Sequence, residues 1–377
     1  MDTIEEFRIE IPQADLDDLR DRLARTRWPD QLPGVGWDYG IALEDVRELA
    51  EYWRTGYDWR VQERRLNSFP QFTTVIDGQT VHFLHVRSAE PGALPLIMTH
   101  GWPGSVVEFL EIIGPLTDPA AHGGDPADAF HLVVPSIPGF GFSGPTHDRG
   151  WNVARVARAW DELMGRLGYQ RYGAQGGDWG SSISRELGVL VPSRVAGVHL
   201  NMLSPYVSGE PPADLSDSDR ERVERLRRFR RTGSGYSAIQ ATRPQTVGYG
   251  LTDSPAGQLA WIAEKFGEWT DGGLGAVDRD QMLTNISVYW LTRTAGSSAR
   301  LYYEAARSGA LGSPAPSTAP TGVAVFPAEI AAPVRPLAEQ ANRIVHWSEF
   351  GRGGHFAAME EPDLLVGDVR EFFRLFR

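Results

Sequence analysis

The sequence contains no cysteine and a single lysine, Lys265, among its 377 residues. Without cysteine, disulfides, thiolate nucleophiles and cysteine-based metal sites are excluded. No apolar stretch is long enough to span a bilayer, and the acidic start MDTIEEFRIEIPQ does not show the basic and apolar regions of a signal peptide. We therefore predict a cytoplasmic protein that does not bind a membrane.

The charges are biased toward acid. The formal net charge is -12 at pH 7, which argues against nucleic acid and anionic membrane surfaces as partners because both repel an acidic protein. The hydrophobic fraction of 41% and the charged fraction of 23% are ordinary for a globular protein. Arginine supplies the other positive charges, and with abundant glycine and alanine this composition is typical of a GC-rich genome and favours a bacterial source.

Strand-like and helix-like patterns alternate through the middle of the chain. Two β-patterned runs joined by Asp77 and Gly78 predict an antiparallel hairpin. Buried-strand patterns then alternate with helices, which predicts a mostly parallel, doubly wound sheet with the order of an α/β-hydrolase core. The predicted strands are residues 72–76, 81–87, 94–99, 130–135, 171–175, 194–200, 323–326 and 343–347, and the predicted helices are residues 14–28, 43–62, 106–116, 152–167 and 361–376.

The alternation is missing from two regions. Residues 1–70 combine charges and aromatics with helical periodicity, and they predict an N-terminal arm that packs on the core and the cap. Residues 205–321 are mostly helical, and they predict a cap inserted into the core. The two parts of the core are then residues 71–204 and 322–377.

A glycine-rich motif marks the centre of the core. Residues 176–180, Gly-Gly-Asp-Trp-Gly, lie between a strand pattern and a helix pattern and have the G-x-D-x-G form of a nucleophile elbow. The glycines suit a turn too tight for neighbouring side chains. The N–H groups at the head of a helix favour an anion, so Asp178 is a candidate nucleophile. The alternative is that Asp178 only caps the next helix.

A nucleophile at an elbow needs an acid and a histidine later in the chain. His355 follows the last predicted strand in a glycine-rich loop that can reach over the elbow, and Glu329 follows the strand before it. The other common position for the acid holds Asn201, which favours Glu329. The alternatives are a surface histidine and a solvated carboxylate at a helix start. For the other histidines that we weighed, we expect packed or surface positions: His82, His85, His199 and His346 on strands, and His122, His131 and His147 in or beside loops.

An aspartate nucleophile carries out a particular chemistry. A carboxylate can displace a leaving group at an sp³ carbon and form an ester of the enzyme, and water activated by the histidine then attacks the aspartyl carbon. The oxyanion forms on the aspartate itself and needs two N–H donors. Trp179, directly after Asp178, and Trp102, in HGWPG, provide the predicted oxyanion hole. The Trp102–Pro103 bond is a candidate for a cis peptide, since a tight turn is needed there.

Several longer motifs resemble those of the microsomal-type epoxide hydrolases. They are FRIEIPQADLDDLRDRLARTRWPD, HGWPGSVVEF, PSIPGFGFSG, GGDWGSSISRELG, GYSAIQATRPQTVGYGLTDSPAGQLAWIAEKF and RGGHFAAMEEPDLL, and together they cover nearly the whole chain in the family's order. The resemblance implies an α/β-hydrolase fold with a helical cap and an N-terminal wrapping arm. Membrane-bound animal members carry an apolar N-terminal anchor that this sequence does not show, which implies a soluble enzyme.

The resemblance also implies two acids in the cap. The family uses two tyrosine hydroxyls that hydrogen-bond the epoxide oxygen and help to protonate it as the ring opens. The matching positions are Tyr236, in SGYSAIQ, and Tyr302, in SSARLYYEAA, where the adjacent Tyr303 is the alternative. A phenol with a pKa of about 10 can donate a proton without being ionised at neutral pH. From the residues alone, both tyrosines are better interpreted as core aromatics with satisfied hydroxyls, and only the resemblance favours a role as acids.

The predicted function is an epoxide hydrolase without cofactor or metal, which uses water to convert a small-molecule epoxide to a vicinal diol. Asp178 is the predicted nucleophile, His355 the base and Glu329 its orienting acid, and Tyr236 and Tyr302 are the predicted proton donors. A haloalkane dehalogenase is the alternative enzyme, because it shares the fold and the Asp-Trp pair. A non-catalytic binding protein of hydrolase fold is the alternative without chemistry.

The resemblance leaves the substrate open. The family includes enzymes for xenobiotics, for insect hormones and for epoxide intermediates of bacterial natural products such as enediynes. The bacterial composition favours a biosynthetic role over detoxification. Family members are often dimers, so the resemblance also implies a homodimer.

Overall fold

The structure, a computed structural model, describes residues 3–205, 212, 214–309 and 315–377. Its strands are β1 (Glu5–Glu6), β2 (Gln71–Ile76), β3 (Gln79–Val86), β4 (Leu94–Thr99), β5 (Phe130–Pro135), β6 (Tyr172–Gly176), β7 (Val195–Leu200), β8 (Ser317–Val325) and β9 (Asn342–Glu349). They form one sheet in the order β1-β2-β3-β5-β4-β6-β7-β8-β9. The six strands from β5 to β9 along this order pair in parallel, and β1, β2 and β3 add antiparallel pairs at one edge.

This sheet confirms the predicted mostly parallel α/β architecture. β2 and β3 form the predicted hairpin, and its turn residues Asp77 and Gly78 adopt φ values of 51° and 75°, the left-handed backbone that such a turn requires. β1 was not predicted, because two residues are too few to show a strand pattern. It pairs with β2 and draws the N-terminal segment onto the sheet.

Helices cover the sheet and build the cap. They are α1 (Gln13–Ala24), α2 (Leu43–Thr55), α3 (Trp59–Leu66), α4 (Leu110–Thr117), α5 (Val153–Arg166), α6 (Asp178–Leu190), α7 (Asp217–Thr232), α8 (Gly235–Thr242), α9 (Pro244–Asp253), α10 (Pro255–Trp269), α11 (Arg279–Thr292), α12 (Ala295–Ser298), α13 (Arg300–Arg307), α14 (Arg335–Ala338), α15 (Ala357–Glu360) and α16 (Pro362–Phe373). α5 packs against α6 and α4 against α16, and the central strands β6 and β7 are buried throughout. Among these described helices, none has the length and apolar character needed to cross a membrane.

The single helix predicted over residues 43–62 is wrong. α2 ends at Thr55, and α3 begins at Trp59. The Asp58 carboxylate accepts a hydrogen bond from the N–H of Arg60 and caps α3, which explains why a new helix starts there. The helix predicted over residues 14–28 is also shorter, since α1 ends at Ala24.

β8 is longer than the strand predicted over residues 323–326. It begins at Ser317, because pairing with β9 holds a segment whose small residues and Pro320 weaken the strand pattern. The register of the pair shifts near Pro320. The core sheet therefore resumes inside the range 205–321 predicted for the cap, and the predicted start of the cap at Pro205 adjoins residues outside the described part of the chain.

The N-terminal segment packs on the cap. The indole N–H of Trp53 donates to the hydroxyl of Ser287 at 2.9 Å, and the hydroxyl of Tyr52 donates to the carboxylate of Asp280 at 2.8 Å. Both partners lie on α11, a helix buried along nearly its whole length. The arm therefore holds α11 in place from outside the core.

Candidate active site

Asp178 lies at the turn from β6 to α6. Its φ is 49°, in the left-handed region that residues other than glycine seldom adopt, so the backbone is strained at this point. A Cβ on Gly180 would lie 1.8 Å from the carbonyl oxygen of Thr99, so only glycine allows α6 to approach β4 so closely. The result is an aspartate presented at the carboxyl edge of the parallel sheet.

Two backbone N–H groups hold the Asp178 carboxylate. The N–H of Trp102 donates to Oδ1 at 2.8 Å, and the N–H of Trp179 donates to the same carboxylate. The Trp102–Pro103 peptide is cis. A Cβ on Gly101 would lie 2.3 Å from the Cβ of Asp178, so a glycine is needed for this loop to reach the aspartate. Both predicted donors therefore face the candidate nucleophile.

His355 lies between two carboxylates. Its Nδ1 is 2.9 Å from Oε1 and 3.1 Å from Oε2 of Glu329, and its Nε2 is 3.6 Å from Oδ2 of Asp178. Glu329 is fully buried, whereas the side chain of Asp178 is 14% exposed. The bond to Glu329 orients the imidazole so that Nε2 points toward the aspartate. A distance of 3.6 Å is too long for a hydrogen bond, so the interaction with Asp178 is one of charge.

The charges of these groups depend on one another. Burial alone would lower the pKa of His355, but the negative charges of Glu329 and Asp178 raise it to about 9. Burial raises the pKa of Asp178, and this rise is opposed by the positive charge of His355 and by the N–H groups of Trp102 and Trp179. At neutral pH His355 is therefore an imidazolium that faces the side chains of Asp178 and Glu329.

Tyr236 and Tyr302 enter the same space from the cap. Tyr236 lies in α8 and Tyr302 in α13, their ring centroids are 6.0 Å apart, and their hydroxyls are within hydrogen-bonding reach. Trp102 stacks on Tyr236 at 4.9 Å between centroids, and Trp179 meets Tyr302 edge-on at 4.8 Å. Burial raises the pKa of both phenols, so both are protonated at neutral pH.

Tyr302, and not Tyr303, faces the site. Tyr302 is 5% exposed. Tyr303 is partly exposed and packs under Arg307, whose guanidinium carbon is 3.4 Å from the ring centroid. Successive residues of a helix point about 100° apart, so only one of the two can enter the cleft.

Cap helices hold the loops of the site. The N–H of His355 donates to the carbonyl oxygen of Trp269, the last residue of α10, at 2.9 Å, and the two rings are 4.9 Å apart. From α11, the Tyr289 hydroxyl and the Asn285 amide donate to carbonyl oxygens of the Trp102 loop at 2.6 and 2.7 Å. Helices α10 and α11 therefore contact both the loop that carries His355 and the loop that carries Trp102.

Two ionisable residues beside the site were missed in the sequence. Glu108 interacts electrostatically with His355 and Asp178, and burial raises its pKa to about 8. The Nζ of Lys265 lies 4.8 Å from the centroid of the Tyr236 ring. Both residues fall inside the family-like segments HGWPGSVVEF and AWIAEKF. A charged residue within an otherwise apolar motif is the signal that could have identified them.

A separate groove of about 900 Å³ lies between the N-terminal arm and α10. Its walls include Arg22, Trp28, Tyr39 and Asp253, and none of the predicted catalytic residues lines it. Within the described residues, no group of three or more histidines and carboxylates is placed to hold a metal ion.

Comparison with known proteins gives concordant results. One family model, described as epoxide hydrolase N terminus, matches residues 4–109, and another, described as alpha/beta hydrolase fold, matches residues 95–236. The chain is 50% identical over 375 residues to a Stigmatella aurantiaca protein whose name assigns it provisionally to the epoxide hydrolases, with 98% of this chain and 85% of that protein covered. It is 38% identical over 405 residues to epoxide hydrolase 1 of Sus scrofa, with 99% and 89% covered. The structure of Aspergillus niger epoxide hydrolase matches with a TM-score of 0.89 at 35% identity, with 100% of this chain and 97% of that chain covered.

The sheet order and the elbow place the chain among the hydrolases of α/β-hydrolase fold. The three relatives above, which are 35% to 50% identical and cover nearly the whole chain, narrow this class of hydrolases to one family. The chain belongs to the microsomal-type epoxide hydrolase family. The resemblance carried by the sequence motifs is thereby confirmed.

Proposed function

We propose that this hydrolase converts an epoxide to a vicinal diol through a covalent ester on Asp178. The observation that carries the proposal is the arrangement around one carboxylate. Oδ1 accepts the N–H of Trp102, Oδ2 is directed toward His355, and two protonated phenols share the same cleft. An anionic nucleophile, a base and proton donors for a leaving oxygen are the groups that epoxide hydrolysis needs.

The first step is alkylation of the aspartate. Oδ2 of Asp178 attacks an epoxide carbon, the carbon–oxygen bond of the ring breaks, and the oxygen takes a proton from Tyr236 or Tyr302. The products are an alkyl ester that carries a hydroxyl group and a phenolate. The burial of Asp178, whose side chain is only 14% exposed, favours this step because it removes water from the attacking carboxylate.

The second step restores the charges needed for hydrolysis. Once Asp178 is an ester, one of the two negative charges that raise the pKa of His355 is gone, so that pKa falls. A proton passes from the imidazolium to the phenolate, whose own pKa burial has raised. His355 is then neutral and can act as a base.

The third step releases the diol. His355 takes a proton from water, the hydroxide attacks the carbonyl carbon of the ester, and the oxyanion forms on the oxygen held by the N–H groups of Trp102 and Trp179. Collapse of this intermediate expels the alkoxide, which takes the proton of the newly formed Asp178 carboxylic acid and so gives the diol. The carboxylate and the imidazolium are regenerated, so protons balance over the cycle.

The aromatic walls of the cleft favour an uncharged, lipophilic epoxide. The rings of Trp102, Trp179, Trp269 and the two phenols pack against one another beside Asp178 and His355. A dehalogenase needs donors that hold a halide, whereas phenols suit an alkoxide that must be protonated. The same residues therefore favour epoxides over bromoalkanes as substrates.

The decisive test is intact mass spectrometry of a His355→Gln variant mixed with styrene oxide or with a bromoalkane. Without the base, alkylation should proceed while ester hydrolysis stalls. We expect a mass increase of one intact epoxide that peptide mapping locates on Asp178. An adduct from the bromoalkane alone would indicate a dehalogenase. No adduct from either, with styrene oxide turned over by the unmodified enzyme, would reject His355 as the base.

Adjacent tyrosines offer a matched control for the proton donors. Tyr302→Phe should slow alkylation by about 10²-fold. Tyr303→Phe removes a hydroxyl one residue away, outside the cleft, and should leave the rate unchanged. Equal effects of the two substitutions would contradict the proposed role of Tyr302.

A further inference from the structure

The only lysine of the chain is buried beside the candidate site. Lys265 lies near the end of α10, and its side chain is 3% exposed. Apart from histidine, every other basic side chain is an arginine. A buried ammonium is costly unless it is paired, so its surroundings should reveal what it does there.

Lys265 contacts carboxylates on one side and aromatic rings on the other. It forms ion pairs with Glu264 and, at 3.8 Å, with Glu268, both on its own helix. Its Nζ lies over the Tyr236 ring, 4.8 Å from the centroid, and 5.8 Å from the centroid of the Trp269 ring. The ammonium is therefore fixed against the ring of a proposed proton donor.

A cation over the ring of a tyrosine stabilises the phenolate more than the neutral phenol. The ring quadrupole attracts the cation weakly, whereas a phenolate carries a full negative charge that attracts it strongly. The interaction grows as Tyr236 gives up its proton, which is the condition for transition-state stabilisation. A compact ammonium suits this position, because a planar guanidinium would spread its charge and need more space.

We propose that Lys265 is a positioning and electrostatic residue that stabilises the phenolate formed when Tyr236 protonates the epoxide oxygen. This inference rests on the proposed function of the site. Lys265 itself exchanges no proton in this account. Alkylation transfers the proton from Tyr236 to the epoxide oxygen, and the imidazolium of His355 then returns one.

Other charged groups around Tyr236 act in the opposite direction. Asp178, Glu329 and Glu268 all raise the pKa of the phenol, together with burial. Glu264, the other carboxylate paired with Lys265, is also held by the N-terminal arm, since its carboxylate accepts the N–H of Ile41 at 3.3 Å. The ammonium of Lys265 is thus a positive charge that lies over the Tyr236 ring, opposite in sign to these carboxylates.

The test is a double-mutant cycle on the alkylation rate, measured by rapid mixing with styrene oxide and intact mass detection in the His355→Gln background. Lys265→Met keeps the length and apolar stem of the side chain and removes the charge. We expect alkylation to slow by about tenfold when Tyr236 is present. In a Tyr236→Phe background, the same change should have no effect, because no phenolate forms.

The outcomes separate this inference from the proposed function. An equal loss from Lys265→Met with and without the Tyr236 hydroxyl would show a packing role and overturn the inference. No loss with Tyr236 present would overturn it too. An unchanged rate in Tyr236→Phe alone would reject Tyr236 as an acid, and with it both the role proposed for that residue and this inference.

A substrate series adds a readout that a packing role would not change. An epoxide whose opened alkoxide is a weaker base, such as one with a trifluoromethyl group, needs less proton transfer from Tyr236. The loss caused by Lys265→Met should shrink for that substrate, and a constant loss would contradict the inference. If Lys265→Met does not fold, Lys265→Gln removes the same charge with a polar side chain and can replace it in both experiments.

Discussion

Two regions of the molecule bring histidine against a buried carboxylate: the active-site cleft and the packed space between β7, β9 and α16. In the cleft, His355 bonds Glu329 through Nδ1 and directs Nε2 toward Asp178, whose side chain is 14% exposed. In the packed space, Asp368 lies between two histidines and is 2% exposed. Both regions pair histidine with carboxylates, but the 3.6 Å between His355 and Asp178 is longer than either histidine–carboxylate distance at Asp368.

The second region satisfies its carboxylate completely. His199 Nε2 is 2.8 Å from Oδ2 of Asp368, and His346 Nε2 is 2.7 Å from Oδ1, which also accepts the hydroxyl of Ser348. Although burial opposes ionisation, these bonds hold the pKa of Asp368 well below its ordinary value. A carboxylate in this condition pins two strands to a helix. The carboxylates thus differ in their surroundings: Asp368 is closed off by two histidines and Ser348, whereas Asp178 is partly exposed and, under the proposed function, free to react.

The largest expected effect comes from replacing Asp178, the partly exposed carboxylate of the candidate site. Asp178→Asn keeps the shape of the side chain, and asparagine tolerates the left-handed backbone at this position. We expect the fold to persist and epoxide turnover to fall by at least about 10⁴-fold. Diol formation and thermal unfolding, measured on the same sample, check both points. Turnover within about tenfold of the unmodified enzyme would place the nucleophile elsewhere.

Glu329→Gln tests the fully buried carboxylate that bonds His355 in the same site. Hydrolysis of the ester should slow by about 10²-fold, because the imidazole loses its orienting partner. The hydrolysis rate rises with pH as His355 loses its proton. Its midpoint should move to lower pH in the variant, since a negative charge that helps to raise the pKa of His355 to about 9 is gone. Rapid-mixing mass spectrometry across pH measures both, and an unchanged plateau would show that Glu329 does not orient the base.

Asp368→Asn makes the corresponding change in the packed region and should act on stability alone. Breaking a buried charged cluster typically costs about 3 kcal/mol of unfolding free energy. Turnover per folded molecule should stay unchanged. Denaturant unfolding and active-site titration with a trapped ester separate the two quantities. A loss of turnover that exceeds the loss of folded protein would mean that the two regions are coupled.

The pH dependence of the stability lost in Asp368→Asn provides a further test of this comparison. The lowered pKa of Asp368 gives stability that is present above its unfolded value of about 3.9 and is lost as pH falls through the folded value. The hydrogen bond to Asp368 raises the pKa of His346, and this stability is present below about 6.5 and is lost as pH rises through the folded value. The unfolding free energies of the unmodified protein and of Asp368→Asn should therefore differ most between about pH 4 and about pH 6.5. A difference in unfolding free energy that stays constant up to about pH 9 would argue against a charged pair of His346 and Asp368.

The smallest expected effect is that of Glu108→Gln, a buried carboxyl behind the cleft. Because burial raises its pKa to about 8, the carboxyl is neutral at pH 7 and glutamine is a close mimic. Turnover should agree within about twofold at neutral pH. Above about pH 8, ionised Glu108 adds a negative charge that keeps His355 protonated, so the unmodified enzyme should become slower than the variant. Profiles of turnover against pH that coincide throughout would show that Glu108 does not titrate near the site.

Much of the architecture could be predicted because its signals are local. The strand before Asp178, the glycines around it and the helix after it occupy one short segment, so their pattern survives in the sequence. The order of nucleophile, acid and histidine is likewise visible along the chain. Elements whose ends are set by distant partners were less accessible. β8, for example, extends to Ser317 because β9 pairs with it. The break between α2 and α3 was missed although its signal is local, since Asp58 caps α3 through the N–H of Arg60.

The sequence by itself determined the candidate nucleophile, the absence of thiol chemistry and the alternation that builds a parallel sheet, since each depends on residue identity and short-range backbone preference. Only the tertiary structure decided that Tyr302 and not its neighbour enters the cleft, that His355 pairs with Glu329 while His199 and His346 pair with Asp368, and that Lys265 lies over Tyr236. Those relations join segments far apart in the chain. Burial, distance and the charge of each neighbour fix them, and no local pattern records these quantities.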